Sequence, residues 1–233
     1  MSKALVTGGT RGIGRAVATA LLEAGHTVFV TGTSPEGPAP DGCGYFQCDF
    51  EDSEQLQSFA EELVGLDLSI LVNNAGINKI GPLAEYSLSD FERIQQVNVT
   101  APFLLCRAVI PGMQSRAFGR IVNITSIFGV VSKSERSAYS TSKFGLFGMS
   151  RALALEVAAK NIMVNCVAPG FVDTDLTRRV LGEEGIAAAE GQIPVRRLAR
   201  PEEIAHCVRF LVSDENSYLT GQNVVVDGGF TSV

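Results

Sequence analysis

Several features that would direct a reading are missing from this chain of 233 residues. No two cysteines are spaced as a CxxC pair. The five present (Cys43, Cys48, Cys106, Cys166, Cys207) are odd in number and scattered, and the only two histidines are far apart. That argues against a zinc site or a disulfide framework and fits reduced thiols in a cytoplasmic protein. No apolar run approaches the roughly 18 residues of a membrane span. The first residues, MSKALVTGG, lack the charged segment, apolar stretch and small-residue cleavage site of a secretory signal. No basic cluster occurs and the net charge is −6, which argues against nucleic acid as a partner.

What is present is a regular alternation. KALVT, TVFVT, SILVN, RIVNIT, IMVNCVA and NVVVD are short and apolar on both faces, as buried parallel strands are; GYFQC is a weaker seventh. Between most of them lie helical patterns, such as GIGRAVATALLEAG and SEQLQSFAEELVG, each closed by a glycine. The expectation is a single α/β domain over 1–233, a doubly wound parallel sheet of about seven strands with helices on both faces. One crossover breaks the pattern. SPEGPAPDGCG, residues 34–44, is too rich in proline and glycine for a helix, so a loop is expected there, with one edge of any nucleotide site less covered than usual.

The first strand runs into Gly8, Gly9, Gly12 and Gly14 and then a helix. Glycines there permit a tight turn and let backbone N–H groups approach a pyrophosphate at the helix N-terminus. No Gly-Lys-Ser/Thr follows, so this is not a P-loop. Farther on, Tyr139 and Lys143 stand four apart, on one helix face. Taken alone, such a pair is an ordinary helix surface. As a functional pair, the ammonium would lower the phenol's pKa and fit it for proton transfer near neutrality.

The TGxxxGxG spacing resembles that of the short-chain dehydrogenase/reductase family. NNAG at 73–76, Asn98, Ser126, Tyr139-x-x-x-Lys143 and PGFVDT at 169–174 follow in the family's order across nearly the whole chain. The closest resemblance is to the β-ketoacyl-acyl-carrier-protein reductases. It implies a Rossmann-type fold and a catalytic set of Asn98, Ser126, Tyr139 and Lys143. Ser126 would bond the substrate carbonyl, and Asn98 would hold a water linking Lys143 to solvent. Ser140, Thr141 and Ser142 read as packing and backbone-bonding residues.

The resemblance also implies a nicotinamide dinucleotide. Thr7 to Gly14, with Gly8, Gly9, Thr10, Arg11, Gly12, Ile13 and Gly14, would take the pyrophosphate. Asp49 and Phe50 would meet the adenine, Asn74, Ala75 and Gly76 the ribose, and Pro169, Gly170, Val172 and Thr174 the nicotinamide, beside Tyr139 and Lys143. An acidic residue after the second strand would select NAD. Here Gly32 holds that place, Thr33 and Ser34 follow, and Arg11 offers a cation, so NADP (NADPH) is expected rather than NAD.

Residues 169–197 read as a substrate lid with glycine hinges. GINKIGPLAEYS and IFGVVSKSER would form other walls, largely apolar, as suits a ketone or acyl thioester. Arg116, Arg120 and Lys160 are candidates for contact with an acidic acyl-carrier protein, although Ala117 stands where the resembling enzymes carry a basic residue. A free ketone or coenzyme A thioester stays open, as does an alcohol, sugar or steroid dehydrogenase or a dinucleotide sensor without turnover. By resemblance the assembly is a homotetramer, with apolar faces around 102–115 and 137–159 as its contacts.

Overall fold

A computed structural model describes residues 2–233. Seven parallel strands form one sheet: β1 (Lys3–Val6), β2 (Thr27–Gly32), β3 (Gly44–Gln47), β4 (Ile70–Asn73), β5 (Gly119–Ile124), β6 (Ile162–Pro169) and β7 (Asn223–Val226). Their spatial order is β3-β2-β1-β4-β5-β6-β7. The order reverses beside β1, so the crevice outside the strand ends opens between β1 and β4, the usual ligand position in such sheets. β4, β5 and β6 are buried along their whole length, which is why they read as continuous apolar runs.

Helices cover both faces. α1 (Gly12–Glu23) and α7 (Pro201–Val212) pack together on one, around Val17, Leu21, Val28, Val30, Ile204 and Val208. α2 (Ser53–Leu63), α4 (Ala101–Arg116) and α5 (Ser137–Val157) cover the other, around Leu56, Phe59, Leu71, Leu105, Ile121 and Val157. Burying these side chains contributes about 1.5–3 kcal/mol each, the main favourable term in holding the layers together. α3 (Leu88–Gln95) runs into α4 through a single π turn at Gln96–Thr100. α6 (Asp175–Gln192) is interrupted at Gly182, whose φ of 63° lies in the left-handed region.

The 34–44 crossover is a loop, as its prolines dictate, but it does not leave the nucleotide edge open. It folds back so that Ser34, Gly37 and Pro38 form a wall of the cleft. The Tyr45 hydroxyl donates to the Ser34 carbonyl, and Arg15 Nη1 donates to the Pro38 carbonyl at 2.9 Å. The carrier-contact reading of Arg120 is also corrected. This residue starts β5, is 2% exposed, and donates to the carbonyls of Gly119 (2.8 Å), Asn161 (2.9 Å) and Ser213 (3.4 Å), with its guanidinium over Phe118. Arg116 is engaged by Asp67 at 3.0 Å and the Leu68 carbonyl at 2.6 Å. Both, with Lys160, sit where strands begin, at the sheet edge opposite the strand ends that bear the cleft.

Arg120 thus closes backbone carbonyls at the base of the sheet. Replacing it with alanine leaves them unpaired, at a cost of about 2–3 kcal/mol. Thermal unfolding of Arg120→Ala is expected about 4–10 °C lower, with cofactor affinity unchanged. An unchanged melting temperature would return Arg120 to the surface.

Candidate active site

A cleft of about 530 Å³ runs across the C-terminal ends of the strands. At one end lies the glycine turn between β1 and α1. Thr7 fastens it: its hydroxyl accepts from the backbone N–H groups of Asn74 (2.9 Å) and Ala75 (3.0 Å). Asn74 returns the tie, its side-chain amide donating to the carbonyls of Thr7 (2.9 Å) and Gly8 (3.2 Å). The ends of β1 and β4 are thereby locked together. Gly14 is required by this packing, since a Cβ there would stand 2.3 Å from the Gly8 carbonyl oxygen and 2.4 Å from Asn74 Nδ2. Arg11, the residue before α1, makes no side-chain cap, so the first-turn N–H groups are left to whatever occupies the cleft.

Of the expected cofactor residues, Gly8, Thr10, Arg11, Gly12, Ile13, Thr33, Asp49, Phe50, Asn74, Ala75, Gly76, Pro169, Gly170, Val172 and Thr174 line the cleft. Gly9 and Gly14 do not. Gly9 donates its N–H to the Thr31 carbonyl at 3.1 Å, and Gly14 packs under the loop. Several of the lining residues also have local structural bonds. Asp49 accepts from Glu51 N at 3.0 Å, and the Thr174 hydroxyl caps α6 by accepting from Thr177 N at 3.2 Å.

Ser126, Tyr139 and Lys143 converge at the other end. Ser126 follows β5 in extended backbone, and its hydroxyl accepts from Phe128 N at 3.1 Å. α5 then presents Tyr139 and Lys143 one turn apart. The Lys143 amine is buried, donates to the Ile124 carbonyl at 2.9 Å, and lies 5.6 Å from the centroid of the Tyr139 ring. Burial pushes its pKa down to about 8, opposed by the neighbouring Cys166 thiol. Burial raises the Tyr139 pKa above its ordinary value, while the Ser126 hydroxyl and the Arg136 charge pull the other way. A phenol partly withdrawn from water favours its neutral form.

Asn98 lies deeper than the other catalytic candidates. It lies in the π turn, fully buried and outside the cleft lining. Its side-chain oxygen accepts from Ile77 N (2.9 Å), and its amide donates to the Ile77 carbonyl (2.9 Å) and Ser142 Oγ (3.0 Å). The side chain therefore clamps the chain after NNAG to α5. Ser142 bonds the Tyr139 backbone carbonyl at 2.7 Å, as expected, but it also joins this clamp. Tyr45, Phe171 and the cation Arg136 had no individual signal in the sequence. Tyr45 reads as a strand residue, yet its hydroxyl would lie 2.8 Å from a Cβ at Gly32. The segment read as a lid contains α6 with its break at Gly182, anchored through Ala189, Ile193 and Leu198 against Phe171 and Phe230.

Gly14→Ala must displace the Thr7–Asn74 lock or the helix start. Dinucleotide affinity, measured by fluorescence titration, is expected to fall at least about tenfold, because the phosphate-facing backbone moves; wild-type affinity would show that the packing yields freely.

Comparison with known proteins agrees with this geometry. Residues 8–231 match a family model described as enoyl-(acyl carrier protein) reductase. The 3-oxoacyl-[acyl-carrier-protein] reductase of Aquifex aeolicus is 41% identical over 97% of this chain and 95% of its own. Among solved structures, a putative NAD(P) dependent gluconate 5-dehydrogenase from Beutenbergia cavernae with bound NADP superposes with a TM-score of 0.92 at 34% identity, over 100% of this chain and 97% of its own. The aldohexose dehydrogenase of Thermoplasma acidophilum gives 0.92 at 31% identity, over 100% and 94%. The chain belongs to the short-chain dehydrogenase/reductase family, whose members bind a nicotinamide dinucleotide, and is an oxidoreductase acting on a CH–OH/C=O pair.

Proposed function

We propose that the protein is a cytoplasmic, NADPH-dependent carbonyl reductase whose substrate is a 3-oxoacyl thioester, carried by coenzyme A or an acyl-carrier protein. The observation that carries this reading is the convergence of Ser126, Tyr139 and Lys143 at one end of a cleft whose other end is the glycine turn. The relatives' 3-oxoacyl reductase activity favours the same substrate class. Apolar walls at Phe128, Phe171 and Ile77 suit an acyl chain.

The residues fit a dinucleotide. Free N–H groups at the start of α1 and the backbone of Gly8 and Gly12 suit a pyrophosphate, and Asn74, Ala75 and Gly76 the ribose nearby. At the far ribose, no carboxylate stands at Gly32, and a Cβ there would meet Tyr45. Arg11, Thr33 and Ser34 surround that place with donors, which favours a 2′-phosphate. When bound, the cofactor supplies a hydride, which no side chain can. Ser126 then donates to the substrate oxygen, fixing the carbonyl and stabilising charge as it develops. Tyr139 gives its proton to that oxygen. Its burial keeps the phenol protonated, as a reductive proton donor must be. Lys143, below it, connects the phenol to a proton source. Asn98 holds Ile77 and Ser142 in place beneath the site.

A second reading, a sugar or other secondary-alcohol dehydrogenase, is favoured by the gluconate and aldohexose enzymes among the structural relatives. The same residues would run in reverse. For the assembly we propose a homotetramer, in which the exposed Phe103, Phe144 and Leu155 of α4 and α5 are covered by partner subunits.

NADPH oxidation should be followed with acetoacetyl thioesters, free ketones and sugar ketones, and repeated with NADH. Thioester turnover with NADPH is expected; turnover of sugars alone would select the second reading, and turnover with NADH alone would overturn the role of Arg11. Tyr139→Phe should lose at least about a hundredfold in kcat while still binding NADPH. The pH profile follows from Lys143. Its amine is protonated below about 8, so kcat/KM for reduction should decline as pH rises through about 8. A profile flat to pH 10 would count against the charged amine.

A further inference from the structure

Along α5 the phenol of Tyr139 is flanked by two cations. Lys143 follows it by one turn. Arg136 precedes it by nearly one turn, as the residue that opens the helix. Residues in these two positions, the cap and the third of the helix, are within reach of one another. The Arg136 guanidinium lies over the ring of Phe128, 5.7 Å from its centroid, and Phe128 lines the cleft beside Ser126. A cation stacked this way is held by the ring's negative face.

Arg136 makes no ion pair among the described residues, although the Glu135 charge acts on it from farther off. Its Nη1 makes only a long contact of 3.4 Å to the Glu135 carbonyl, and its Nε is buried without a partner. Among the described residues, no carboxylate lies within ion-pairing distance. Burial depresses the affinity of Arg136 for its proton, but a guanidinium stays charged at any working pH. The backbone that presents it is also constrained. Glu135 has a φ of 65°, in the left-handed region, and its carbonyl accepts from Gly81 N at 3.2 Å. Such a conformation is unfavourable outside glycine and persists only where the surroundings hold it. The loop before α3 thus fastens the turn that carries this guanidinium, at the start of the helix that bears Tyr139.

We propose that Arg136 is a second positioning cation of the active site, stabilising the phenolate that Tyr139 becomes when its proton passes to the substrate oxygen. This rests on the reading of Tyr139 as proton donor. In the reductive direction the carbonyl carbon accepts hydride from NADPH, which becomes NADP⁺, and the carbonyl oxygen accepts the Tyr139 proton. The negative charge left on the phenol falls between an arginine nearly one turn before it and a lysine one turn after it along α5, and the phenol is restored when a proton returns by way of Lys143. The groups acting on the phenol are the Ser126 hydroxyl from the end of β5 and Arg136 on α5, with the Lys143 amine near its ring. Those acting on Arg136 itself are Glu135, Tyr86 and Tyr139, and on Lys143 the Cys166 thiol of β6.

The test needs no substrate. Tyrosinate absorbance is titrated in wild type, in Arg136→Met (which keeps the side chain's length against Phe128) and in Arg136→Lys, with a Tyr139→Phe titration subtracted to isolate one phenol. Removing a neighbouring cation disfavours phenolate. The Tyr139 transition is therefore expected about half a pH unit or more higher in Arg136→Met, and back toward wild type in Arg136→Lys. The rising limb of alcohol oxidation, which needs phenolate, should move by the same amount. Arg136→Gln gives the same reading should Arg136→Met fail to fold. An unmoved transition in the neutral variants, or an equal displacement in Arg136→Lys, overturns the proposal. Turnover retained in Tyr139→Phe would instead overturn the donor reading on which it rests.

Discussion

An ammonium group buried beneath a cleft must be held by its surroundings or lose its proton, and the candidate site is arranged around that constraint at Lys143. Only a carbonyl, that of Ile124, takes a hydrogen bond from the amine, with a neutral thiol beside it. Among the described residues no carboxylate pairs with it, so burial brings its pKa down to about 8. A paired lysine in the same place would stay charged throughout and could not exchange a proton near neutrality. The absence of a partner is therefore the functional feature. It requires that the sheet ends and α5 be positioned firmly enough to keep water from doing the compensating.

That firmness comes from polar bonds that cross between elements. Thr7 and Asn74 lock β1 to β4. Asn98 and Ser142 lock the π turn to α5 and to Ile77. In the row below, Asn73 donates to Asn123 at 2.7 Å, and Asn123 to Ser150 on α5 at 2.7 Å. Each is buried or partly buried, where a hydrogen bond is strengthened by the low dielectric and a lost partner is costly. The two apolar cores hold the layers together. These bonds set how the layers meet to within the tolerance that proton transfer needs.

The strands and most helices were legible in the sequence because burial on both faces leaves a period-free apolar run, and because Gly25 and the glycine turn punctuate it. Ser126, Tyr139 and Lys143 were legible through their order and their placement after β5 and on α5. The rest depends on contacts between distant segments. Tyr45 closes over the 34–44 loop only because Ser34 offers its carbonyl, so a loop that reads as open is a wall. Arg120 reads as a surface charge until its three carbonyl partners, supplied by β5's own start, Asn161 and Ser213, are in view. The bonds from the Asn98 amide to both backbone groups of Ile77 join segments that the sequence keeps far apart. The sign of the Tyr139 shift could not be read from an i, i+4 spacing, since it is decided by burial.

The central claim, that Lys143 is a buried amine with a lowered proton affinity, is tested most directly by titrating the lysine side-chain resonances with carbon-13 at Cε. One resonance, absent in Lys143→Arg, is predicted to change near pH 8, well below the ordinary lysine range. If every lysine, Lys143 included, titrates in that ordinary range, the amine is not held as described and the account of the site is contradicted.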